Sequence, residues 1–88
     1  MSKWRPNEYE EALIKVIKEA ETYCKGELEI DLLEDGWYAM DYRPEFGAAL
    51  AILENGYLSK PLISKETVEK YNVDVRKCFD YCNIAYVG

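Results

Sequence analysis

LEIDLLEDGWYAMDY, residues Leu28 to Tyr42, decides the fold of this 88-residue chain. Leu28, Ile30 and Leu32 alternate with Glu29 and Asp31, while Tyr38, Met40 and Tyr42 alternate with Ala39 and Asp41. Both halves therefore read as half-buried strands around a turn. Turn length sets which side chains share a face, because slipping the pairing by one residue moves a whole set across the sheet. A two-residue Asp35-Gly36 loop pairs Ile30 with Asp41 and places an acid among apolar positions. A three-residue loop, Glu34-Asp35-Gly36 with Gly36 left-handed, pairs Leu32 with Tyr38, Ile30 with Met40 and Leu28 with Tyr42, and is the expected register. It sets Glu29 opposite Asp41, Asp31 opposite Ala39 and Trp37 beside Leu33. Glu29, Asp31 and Asp41 are then expected to share an acidic patch, with like charges opposed at a cost of roughly 0.2–1 kcal/mol.

The flanking segments read as helices. Asn7 is a good N-cap, Glu8, Glu10 and Glu11 suit the positive end of a helix dipole, and Lys25-Gly26 makes a C-terminal signal. Tyr9, Leu13, Val16, Ile17, Ala20 and Cys24 recur at helical spacing, predicting a helix over about Glu8 to Lys25. Pro44 suits the first turn of a second helix, with Phe46, Ala49, Leu50 and Leu53 as its buried stripe and Asn55-Gly56 as its end. Ser59-Lys60-Pro61 reads as a turn. Ser64 caps a third helix through Tyr71, and Asp74 caps a fourth bearing Val75, Cys78, Phe79 and Cys82. The tail NIAYVG is expected to add a strand beside the hairpin. The expectation is one α+β domain over residues 1–88, ordered α-β-β-α-α-α(-β), whose first two helices cover one face of a small antiparallel sheet.

A chain this short buries only roughly 60–65% of its unfolded surface and supports a single core. Hydrophobic residues at 49% and aromatic residues at 14% place it in the globular class. No apolar run nears the roughly 18 residues of a bilayer span, and MSKWRPNEYE lacks the apolar core of a signal peptide, so the expected location is the cytoplasm. Three cysteines, Cys24, Cys78 and Cys82, are expected as reduced thiols in the core. The net charge of −6 is uneven: residues 27 to 54 hold eight acids against Arg43 alone.

Catalysis has few candidate groups. The chain has no histidine, which removes the commonest general base, and its five glycines form no phosphate loop. Cys78 and Cys82 lack the spacing of a metal-binding pair and read as core residues. Glu29, Asp31 and Asp41 offer oxygen ligands for Mg²⁺ or Ca²⁺, an alternative reading weakened by ladder positions roughly 7 Å apart. Residues 64–82, SKETVEKYNVDVRKCFDYC, outline a helix-turn-helix in which Val68, Val73 and Cys78 fall at packing positions. Lys65, Lys70, Arg76 and Lys77 would contact phosphates in that second alternative, against a pI near 4.6.

The expected function is non-enzymatic: an acidic protein-interaction module without cofactor or bound metal. Glu29, Asp31, Glu34, Asp35 and Asp41 supply the charge and Trp37 the apolar contact. The expected partner is a protein with a basic surface, such as a nucleic-acid-handling protein whose groove the carboxylates would fill in place of phosphates. Small inhibitors carried by phages have this size and charge, a likeness of composition only. Direct contact with nucleic acid or membrane is not expected.

Overall fold

The computed structural model describes residues 3–41 and 60–86. The described elements are α1 (Glu8–Tyr23), β1 (Leu28–Leu33), β2 (Gly36–Asp41), β3 (Ile63–Ser64), α2 (Lys65–Tyr71), α3 (Val75–Tyr81) and β4 (Ala85–Tyr86). The fold is α+β, as the sequence predicts. The expected helix from Pro44 to Leu53 lies outside the described residues.

Local signals place the helices. Asn7 caps α1 by accepting from the Glu10 amide, and the Glu10 side chain returns a bond to the Asn7 amide, so two otherwise orphaned donors are satisfied. The helix stops two residues short of Lys25, because Lys25 and Gly26 take positive φ angles of 55° and 80° and turn the chain into β1. Ser64 and Asp74 cap α2 and α3 as expected, accepting from the Thr67 and Lys77 amides.

The strands form one sheet in the order β3-β2-β1-β4, antiparallel except for the parallel pairing of β1 with β4. The tail strand thus lies beside the hairpin. Strand β3 was not foreseen. It lies between the expected turn Ser59-Lys60-Pro61 and the helix that Ser64 caps, and it pairs Gly36 with Ser64 and Trp37 with Ile63. The Trp37 carbonyl accepts from Leu62 at 2.8 Å and the Asp35 carbonyl from Lys65 at 3.3 Å.

That extra strand corrects the hairpin register. The loop has two residues, Glu34 and Asp35, and the ladder runs Leu33 with Gly36, Leu32 with Trp37, Asp31 with Tyr38, Ile30 with Ala39, Glu29 with Met40 and Leu28 with Asp41. Gly36 is the first residue of β2, where β3 crosses its backbone. A Cβ added there would stand 2.5 Å from the Ile63 carbonyl oxygen and 2.9 Å from Ser64 Cα. The glycine is needed for strand approach rather than for loop closure. Ile30 and Met40 consequently lie on opposite faces.

Helices α1 and α3 cover the face carrying Leu28, Ile30 and Ala39. Leu13, Ile14 and Ile17 meet Val75, Cys78 and Phe79 there, and Phe79 and Ile30 are both fully buried. A fully buried side chain of that size contributes roughly 1.5–3 kcal/mol. Cys24 and Cys78 belong to this core, and all three cysteines are free thiols.

Gly36→Ala tests the role given to this residue. The added methyl must push β3 away from β2, so the variant is expected to lose about 1–3 kcal/mol and about 5–20 °C in Tm by calorimetry. An unchanged Tm would contradict the close approach.

Candidate functional site

The corrected register divides the predicted acidic patch. Glu29 and Asp31 lie half-buried on the sheet face away from α1 and α3, beside Leu33, Tyr38 and Met40. Asp41 lies on the helix-covered face and is only 6% exposed. Trp37 is half-buried on that same inner face, opposite Leu32. The expected apolar anchor is therefore replaced by Tyr38 and Met40, which the ladder sets directly opposite Asp31 and Glu29. Glu34 and Asp35 are exposed in the turn, and the Tyr38 hydroxyl donates to Asp35 Oδ2 at 3.2 Å.

An inward Asp41 is tolerable because, among the described residues, no buried side-chain oxygen or nitrogen lacks a hydrogen-bond partner. The same parity removes the expected three-carboxylate cation site, since Asp41 and Glu29 project to opposite faces. Among the described residues no cluster of three acidic or thiol side chains is arranged to hold a metal.

A second feature is built around the turn between α2 and α3. Asn72 takes the left-handed conformation, φ 52° and ψ 51°, in the place where a glycine is usual. Val73 beyond it is buried and donates its amide to the Val68 carbonyl at 3.0 Å. Val73 and Cys78 are both buried in the core. Arg76, Lys77, Asp80 and Tyr81 form the exposed side of α3.

Glu10 locks this turn to α1. The residue is 4% exposed; Oε1 accepts from Asn7 N at 2.8 Å and Oε2 from Asp74 N at 2.7 Å. One side chain thus satisfies the cap residues of two helices, reaching across 64 positions of sequence from Glu10 to Asp74. Asn7 Nδ2 donates to the Tyr71 carbonyl at 3.2 Å, and the Tyr9 and Tyr71 rings stack at 3.8 Å. The Asn7-x-x-Glu10 spacing was a visible signal for the local half of this arrangement; nothing local to Glu10 points to Asp74.

The thiols are structural. Burial, with Glu10 and Asp74 adding, pushes Cys78 up to about 12, and burial also raises Cys82. Such thiols are poor nucleophiles at neutral pH.

No known protein family, curated protein or solved structure matches the chain. Among the described residues, no helix is long and apolar enough to cross a membrane.

Three outcomes follow from this geometry. Glu10→Ala removes acceptors from two cap amides at once and is expected to cost about 2 kcal/mol in urea unfolding, while an exposed Glu11→Ala costs under about 0.5 kcal/mol. At pH 8, Cys78 should react with a thiol reagent about a thousandfold more slowly than a thiol of ordinary pKa, read by mass spectrometry of the folded protein. The raised Cys78 value has a signed consequence for stability. Its contribution is complete below the unfolded thiol's 9.0 and is lost as pH rises through about 12, so the chain should weaken progressively above pH 9.

Proposed function

We propose that the protein is a non-enzymatic interaction module whose hairpin engages a basic surface on a partner protein. One observation carries this reading. Residues 27–41 hold six carboxylates, Glu27, Glu29, Asp31, Glu34, Asp35 and Asp41, and no lysine or arginine; their charge of −6 equals that of the whole chain. The rest of the molecule is neutral in sum. Concentrating the net charge in one ribbon gives a field suited to steering association with a cationic surface.

The contact surface in this reading differs from the sequence expectation. Glu29, Asp31, Glu34 and Asp35 supply charge, and Leu33, Tyr38 and Met40 supply apolar contact. Asp41 and Trp37 belong to the inner face and take no part. An apolar strip with a charged border is the usual composition of a transient interface.

Helix-turn-helix binding to DNA is the second reading, favoured by the left-handed Asn72 between two capped helices and by the burial of Val73 and Cys78. Charge argues against it. Residues 64–82 balance Lys65, Lys70, Arg76 and Lys77 against Glu66, Glu69, Asp74 and Asp80. The motif's first helix crosses the phosphate backbone, yet here its first amide is held by the Asp35 carbonyl, next to the acidic turn.

Affinity capture with the wild type and with a Glu29→Lys/Asp31→Lys variant tests the proposal. A basic partner should be captured by the wild type at 50 mM salt, lost at 500 mM, and lost by the variant at both. Equal retention by the two proteins would remove the acidic hairpin from the account, and a mobility shift with random duplex DNA at physiological salt would favour the second reading.

A further inference from the structure

Tyr9 and Tyr71 belong to different helices, Tyr9 in the first turn of α1 and Tyr71 at the last residue of α2. Asn7 brings them together, because its Nδ2 donates to the Tyr71 carbonyl at 3.2 Å just ahead of Tyr9 in the chain. The rings stack with centroids 3.8 Å apart and planes 17° from parallel, and the two side chains are hydrogen-bonded to each other. The phenols therefore lie face to face with hydroxyl beside hydroxyl. Tyr9 is 37% exposed and Tyr71 is half-buried, so solvent reaches the pair. Tyr81 is more exposed, but it meets Trp4 edge-on at 6.2 Å, the commoner arrangement of aromatic rings.

This geometry suits one reaction. When a phenol loses an electron and its proton, the unpaired electron spreads through the π orbital onto the ring carbons ortho to the oxygen. The lobes of that orbital stand perpendicular to the ring. Stacked rings with adjacent hydroxyls thus hold ortho carbon over ortho carbon, along the line in which a carbon–carbon bond forms, and a fixed pair reacts far faster than two freely diffusing groups.

We propose that Tyr9 and Tyr71 form an oxidative cross-linking site, at which an oxidant of the haem-peroxidase class, using hydrogen peroxide, joins the two rings ortho to their hydroxyls. Each phenol gives one electron to the oxidant and its hydroxyl proton to water. The two electrons and two protons convert one hydrogen peroxide to two waters. The two phenoxyl radicals share their unpaired electrons in the new carbon–carbon bond, and the ortho hydrogens then move to the oxygens, restoring both phenols. The chain ends two hydrogens lighter, with α1 tied covalently to α2. The site is separate from the hairpin surface and does not depend on its role.

The full chain, dilute and folded, is to be treated with a haem peroxidase and one equivalent of hydrogen peroxide. Dityrosine fluorescence is expected in the monomer, in a product two hydrogens lighter whose mass a thiol reductant does not restore, which separates it from a disulfide. Digestion should yield a peptide pair joined through Tyr9 and Tyr71. Tyr9→Phe and Tyr71→Phe, each checked for folding by circular dichroism, should abolish the monomeric product, and Tyr81→Phe should leave it unchanged. Absence of dityrosine, dityrosine confined to cross-linked dimers, a monomeric cross-link between other tyrosines, or the same product from a folded Tyr9→Phe or Tyr71→Phe chain would overturn the proposal.

Discussion

The pairing of Leu33 with Gly36 is the constraint on which the rest of the structure depends. Once it is set, side-chain parity assigns every residue of the hairpin. Leu28, Ile30 and Ala39 go inward beneath α1 and α3, Asp41 goes with them, and Glu29, Asp31, Tyr38 and Met40 go outward. The pairing is held from outside the hairpin. Strand β3 lies so close to Gly36 that any added Cβ would force a shift, and the Trp37 and Asp35 carbonyls accept amides from the segment entering α2. A ribbon of two strands has little register preference of its own; a third strand at its edge supplies it.

Glu10 performs the corresponding task among the helices. A buried carboxylate is costly unless its oxygens are hydrogen-bonded, and each Glu10 oxygen meets a backbone donor at a helix start. The arrangement ties the α2–α3 turn to the start of α1. The hairpin and the helix pair thus depend on two different restraints, one on strand register and one on helix packing.

The parts legible in the sequence were those specified locally. Asn7, Ser64 and Asp74 marked three helix starts because a cap is decided within four residues, and the free thiols were expected from the odd number of cysteines. Register was not legible, because its determinant is a two-residue strand nearly 30 residues away, too short to show an alternating pattern. The consequence was a parity error: the acid set Glu29, Asp31 and Asp41 was expected on one face, and Asp41 lies on the other. The preference against an inward acid was reasonable on transfer energies, and it failed because hydrogen bonding offsets the burial.

The account's central claim is the register, and cross-strand Hα–Hα nuclear Overhauser contacts read it directly. Contacts linking Leu32 with Trp37 and Ile30 with Ala39 are the predicted pattern for an antiparallel ladder closed by Glu34 and Asp35. A contact between Ile30 and Met40 in their place would return Asp41 to the outer face and contradict the structure described here.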